Sequence, residues 1–215
     1  MRAPLSRLRS AVLGRPRRRV PARVHDVQSA TLRYLVYGLL PAWFIPGLLD
    51  WAQHRRTDIE HTAGVQESLI HALMMTEVGV PIVIALLCEI NPLVLVIILG
   101  AILAHEATAL WDVTTAEESG REVRPVEQHI HSFLESMPFM ACGALACLHW
   151  EQIQALVRGA RNRGAWTLRL KRPPLPTGYL AGVGGAILGL IALPYGEELV
   201  RCLRARRRRS ATAAA

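Results

Sequence analysis

Thirteen of the chain's seventeen acidic residues and six of its eight histidines lie between positions 50 and 135. Their spacing is helical. Asp50, His54, Asp58 and His61 follow one another at intervals of four, four and three, which places them on one stripe of a helix. Glu67 and His71 are four apart. His105 and Asp112 are seven apart, two turns along one face, with Glu106 adjoining. Glu127, His131 and Glu135 repeat at four and four, and His129 falls off that stripe. Imidazole and carboxylate without thiolate form a donor set for iron, manganese or zinc. Helical bundles build two-metal sites from such inward Glu and His side chains. The set exceeds one tetrahedral site, so the reading is two ions, with the surplus groups orienting the ligands. Iron is the first expectation; zinc and manganese are the alternatives.

These residues need elements to carry them. Apolar runs at about 32–49, 68–87, 92–111, 130–150 and 179–195 each approach the ~20 residues that cross a ~30 Å hydrocarbon core as a helix. In an alternating bundle, the end of the first, start of the second, end of the third and start of the fourth share one side. All four polar sets therefore converge there. His105 lies roughly 10 Å of helix rise inward from Asp112, and Glu135 roughly 12 Å inward from Glu127. A charged side chain at such depth costs at least ~2.5–3.5 kcal/mol. Arginine is nearly missing from these spans, so a bound cation is the expected compensation. The ordinary readings stay open for each member alone. Any one histidine can be a hydrogen-bonded core residue, the 51–61 stripe an interfacial helix, and Glu67 a helix cap. Glu77 stands mid-span, either as a carboxyl bonded to a neighbouring helix or as part of a proton path.

The fold class that follows is an all-α integral membrane protein, a bundle of about five transmembrane helices with a polar His/Asp/Glu cluster at one end. A basic flexible tail covers 1–30 and a four-helix core 31–150. A basic loop follows over 151–177, then a fifth transmembrane or re-entrant helix over 178–200 and a basic tail over 201–215. Composition agrees: 51% hydrophobic residues and a mean hydropathy of +0.24 coexist with 20% charged residues, so the two are segregated. The net charge of +8 sits outside the apolar runs, which points to the lipid bilayer, not nucleic acid, as the acidic partner. Arginines break up the first 28 residues, unlike a secretory signal. Cys88, Cys142, Cys147 and Cys202 form no CxxC pair and read as apolar packing residues. Gly182, Gly184, Gly185 and Gly189 read as a close-packing surface of the fifth helix. Arginine and lysine counts favour a cytoplasmic N-terminus, yet five spans then put the basic C-terminal tail outside. A homo-oligomer is compatible with all of this.

Three strings carry a family resemblance: His54-Arg55 followed by Ile59-Glu60, Thr62, Gly64, Glu67-Ser68 and His71; HEATALWD at 105–112; and PVEQHIHSFLESMP at 125–138. Over roughly 43–152 the chain resembles a family of small uncharacterised bacterial inner-membrane proteins whose members often carry the label diguanylate cyclase. The resemblance implies a multi-pass protein of the bacterial inner (plasma) membrane. It brings no reaction with it, and the cyclase activity is not expected, since the chain has neither a GGDEF-type loop nor a soluble α/β domain. Membrane desaturases and hydroxylases are similar in clustering histidines at one face, but with HxxxH and HxxHH where this chain has HxxxDxxH and HxH. Ferritin-like di-iron proteins use ExxH where this chain has ExxxH.

The expected function is a metal-dependent membrane oxidoreductase acting on a lipid or other apolar substrate that enters from the bilayer, served by a redox partner. Asp50, His54, Asp58, His61, Glu67, His71, His105, Asp112, Glu127, His131 and Glu135 are the candidate metal residues. The alternatives are a membrane zinc hydrolase and a divalent-metal transporter or sensor relaying through Glu77. A bis-histidine haem is disfavoured by the excess of carboxylates.

Overall fold

The structure is a computed structural model that describes residues 24–121 and 123–213. The basic tail expected over 1–30 lies outside the described residues up to position 23, as do the last two residues of the expected C-terminal tail. From Val24 onward the chain is already helical. Helix α1 (Val24–Arg33) runs through a π-helical stretch (Tyr34–Leu39) into α2 (Leu40–Arg56). Then come α3 (Val65–Leu87), α4 (Pro92–Glu118), α5 (Pro125–Leu148) and the short α6 (Trp150–Val157). Helix α7 (Thr177–Ala186) passes through a second π-helical stretch (Ile187–Ala192) into α8 (Leu193–Ala213). Five helices are long and apolar enough to cross a membrane: Asp26–Arg56, Val65–Leu87, Pro92–Glu118, Pro125–Leu148 and Thr177–Ala213. Among the described residues there is no strand.

Each π-helical stretch ends two residues before a proline, Pro41 or Pro194. A proline ring clashes with the carbonyl four residues back and offers no N–H. Widening the preceding turn relieves both problems without breaking the helix. Long helices thus continue through both prolines. The fifth long helix is continuous over Thr177–Ala213 and so includes the start of the segment expected as a basic tail over 201–215.

Helix α3 packs along α4, α2 along α5, and α8 against α3. The bundle buries polarity and exposes oil. Asp50, His54, Glu67, His71, Asp112, Glu127 and Glu198 are buried, while Ile45, Leu103, Leu110 and Leu188 are each more than 60% exposed. Such an exterior suits hydrocarbon, not water.

Both ends are closed by specific bonds. At one end, the expected basic loop over 151–177 is docked, not loose. Asn91 caps α4 by accepting from the Val94 N–H at 3.0 Å, and its amide donates to the Thr167 carbonyl at 2.8 Å. Lys171 donates to the carbonyls of Ala85 at 2.6 Å and Cys88 at 2.5 Å. Burial, ahead of any neighbouring charge, pushes its pKa below the usual lysine value. At the other end, Arg201 of α8 pairs with Glu60, and Arg209 donates to the Glu60 carbonyl at 2.6 Å. The glycines of α7 do not serve close packing within the chain. A methyl group added at Gly182, Gly184, Gly185 or Gly189 would meet nothing within 4 Å.

Candidate metal centre

Three helices contribute one carboxylate–imidazole pair each, at i and i+4: Asp50 and His54 on α2, Glu67 and His71 on α3, Glu127 and His131 on α5. This spacing puts both members of a pair on one face. The three faces turn inward together with Asp112 of α4. A fifth contributor comes from α8, where Tyr195 and Glu198 stand three apart on the buried side.

Glu198 organises the centre. Its carboxylate accepts from His54 Nδ1 at 2.9 Å and from His71 Nδ1 at 3.0 Å. A carboxylate only accepts, so each Nδ1 must carry the hydrogen. This leaves Nε2 of each ring on the far side as the atom that would face a metal, the arrangement of metal-ligating histidines whose other nitrogen a carboxylate holds. The Tyr195 hydroxyl lies 3.0 Å from Asp50 Oδ2 and 2.9 Å from the Gly47 carbonyl.

The two Nε2 atoms face carboxylates without hydrogen-bonding to them. His54 Nε2 is 3.5 Å from Asp50 Oδ1 and 3.9 Å from Glu127 Oε1. His71 Nε2 is 3.2 Å from Asp112 Oδ1 and 3.9 Å from Glu67 Oε1. Both nitrogens, Asp112 Oδ1 and Glu127 Oε2 are buried without a hydrogen-bond partner among the described residues. A buried orphan of this kind costs about 1–3 kcal/mol. Donors bound at ~2.0–2.2 Å to one small cation are themselves roughly 3–4.2 Å apart, which is the range seen here. Two groups in the buried cluster could hold a metal ion: Asp50, His54, Glu127 and His131; and His54, Glu67 and His71; a third such group, Asp58, Glu60 and His61, lies on the surface.

Charge leads the same way. Asp50, Glu67, Asp112, Glu127 and Glu198 are five buried carboxylates. One buried arginine answers them. Arg121, from the turn after α4, lies fully buried between Glu67 and Glu127, donating to Glu127 Oε1 at 2.5 Å and to Glu67 Oε2 at 3.1 Å. Burial opposes its charge, but Glu67 and then Glu127 raise its pKa above the ordinary arginine value. A cation placed among these carboxylates would offset charge that Arg121 alone does not.

Most of the sequence-predicted residues therefore meet. Asp50, His54, Glu67, His71, Asp112, Glu127 and His131 form the cluster, with His131 Nε2 at 2.8 Å from Asp50 Oδ1. His105 and Glu135 line the cavity beneath it and belong to neither metal group. His105 Nδ1 lies 3.7 Å from Glu77. Glu77 is the carboxyl bonded to a neighbouring helix, accepting from the Thr108 hydroxyl at 2.9 Å. Asp58 and His61 do not join the buried cluster; with Glu60 they form a separate surface group that could hold an ion. Helix α2 stops at Arg56, and Asp58 takes a left-handed backbone with φ of 54°. The pair sits on the surface, 61% and 59% exposed, bonded to each other at 2.7 Å. Arginine is nearly missing from the apolar runs themselves, and Arg121 enters the cluster from the turn between two of them.

Sequence reasoning missed Glu198, Tyr195 and Arg121. The signal for Glu198 was present as an acidic residue one turn beyond Tyr195 at the end of an apolar run. Arg121 gave none, because a loop arginine looks alike whether it points inward or out.

Beneath the cluster lies a cavity of about 110 Å³, walled by Leu40, Phe44, Met74, Met75 and Ile191 and roofed by Asp50, His71, Asp112 and His131. The polar centre thus looks onto an apolar space. Comparison with family models, with curated proteins and with solved structures returns no match.

Proposed function

We propose that the protein is a multi-pass metalloenzyme of a bacterial inner membrane, with a two-metal centre, iron first, that oxidises an apolar substrate. The observation that supports it most is the pair of imidazoles held by Glu198. Both Nε2 atoms are buried without a hydrogen-bond partner, and His71, 3.2 Å from the unpartnered Asp112 Oδ1, also lines the apolar cavity.

The cavity favours oxidation over hydrolysis. Hydrolysis passes through a charged oxygen that needs fixed donors beside it, and these walls are nearly all hydrocarbon. Oxidising a C–H bond asks the substrate for no polar handle. Such chemistry consumes dioxygen and two electrons, so a redox partner on the polar side belongs to the proposal. Bound iron would supply the oxygen chemistry. The chain's own groups hold the donors in place: Glu198 fixes the two ring tautomers, Tyr195 orients Asp50, and Arg121 fixes Glu67 and Glu127.

The experiment is metal analysis of the protein purified in mild detergent, without a histidine tag and without chelators. About two irons per chain are expected, together with loss of both in His54→Ala and His71→Ala. Two zinc ions would turn the reading to hydrolysis by a metal-bound water. No metal would overturn it and leave a buried ionic network.

A further inference from the structure

The cavity under the polar cluster does not end with its own walls. A second cavity, of about 60 Å³, is lined by Pro81, Ile98, Cys142 and Leu145. Trp43, Val78, Ile82 and His105 line both cavities. These four come from α2, α3 and α4, so the two spaces meet at one ring of side chains. We propose that they form a single tunnel for one unbranched acyl chain of a bilayer lipid, with Trp43 and Ile82 at its waist.

Length, shape and polarity carry the assignment. Asp112 borders the upper cavity and Ile98 the lower, fourteen residues apart on α4. At 1.5 Å per residue that is roughly 21 Å, about two-thirds of a ~30 Å hydrocarbon core. Both spaces are partly open along the bundle, so together they make an elongated apolar channel that a linear chain can lie along. Polar groups gather at the cluster end, and the far end is hydrocarbon. A chain threaded from the far end would lay its leading carbons under His71 and Asp112. For its chemistry this rests on the metalloenzyme reading; the binding of the chain does not.

The wall offers a clean block. Gly79 lines the upper cavity, and a methyl group there would meet nothing within 4 Å. Leucine at this helical position favours the helix and fills the tunnel without touching the cluster. The test uses the full chain in phosphatidylcholine vesicles containing a palmitoyl phosphatidylcholine with a mid-chain diazirine, photolysed and mapped by mass spectrometry. Labelling is expected on Val78, Ile82 and Ile102, and at least tenfold lower in Gly79→Leu at unchanged metal content. Ile82→Phe, which narrows the waist, should reproduce the loss if the first variant does not fold. Labels confined to outward Leu103 and Leu110, with no response to either block, would overturn the tunnel. So would interior labelling by a branched isoprenoid probe that outcompetes the palmitoyl chain. Metal analysis of the same samples separates the two ideas. Metal-free wild-type protein with interior labels would sink the enzyme reading alone, and metal-loaded protein without them would sink the tunnel alone.

Discussion

His54 and His71 lie face to face, their rings parallel within 5° and 4.3 Å apart, because both donate to the same carboxylate. Helices α2 and α3 supply the rings, and α8 sets their separation from across the bundle. Glu198→Gln tests the arrangement. An amide has one accepting oxygen, and its NH₂ must face the other ring as a donor. One imidazole then keeps its tautomer and the other has to reverse, turning its hydrogen toward the metal position. Loss of such an orienting partner typically weakens metal affinity 10–100-fold. Competition with a calibrated chelator should show one of two sites weakened by that factor, while Glu197→Gln, on the exposed side, leaves both intact.

Among the described residues Arg121 is the one arginine buried in the cluster, so its removal leaves Glu67 and Glu127 facing each other with less to hold them. Breaking one side of a buried ion pair costs about 3–5 kcal/mol. Arg121→Met should lower metal-free stability in detergent by that order, seen as reduced thermal unfolding temperature. Added divalent metal should restore most of it, since the cation takes over the neutralising role. Equal destabilisation with and without metal would show that the carboxylates do not face a metal position.

The surface pair behaves oppositely. Asp58 and His61 bond to each other in water, where an ion pair contributes little. The double change Asp58→Asn with His61→Asn should leave metal content unchanged and alter stability by no more than ~0.5 kcal/mol. Loss of a metal ion in that variant would return these residues to the site.

Why the sequence reveals the inner pairs but not this outer one is a matter of reach. A span of about twenty apolar residues can only be a helix in hydrocarbon, so 50/54, 67/71 and 127/131 are legible as facing pairs wherever the helix is certain. The same period fails one turn later. Continuation past Arg56 depends on local backbone choices, and Asp58 adopts the left-handed conformation that aspartate tolerates. Glu198 lies 144 residues from His54 and 127 from His71. Nothing local ties them; only the packing of α8 on α3 does. The docked loop is similar. Its arginines read as a solvated basic stretch, while Asn91 and the Lys171 side chain, which pin it, show no periodicity at all.

The loop end carries a pH signature of its own. His149 follows α5, outside the spans, and its pKa is pushed below 6.5, first by burial and then by Lys171. A base with a depressed folded pKa binds fewer protons folded than unfolded, so stability rises with pH between the two values. The sign follows: above about pH 6.5 the ring is neutral in both states and costs nothing, and as pH falls below it the unfolded chain gains a proton that the folded chain resists. His149→Gln should therefore shallow the loss of stability between pH 6.5 and 5 without changing it at pH 8. Thermal unfolding at these three pH values, with metal content held constant, reads the difference. A loss as steep as in the unsubstituted protein would mean that His149 protonates as freely in the fold as out of it.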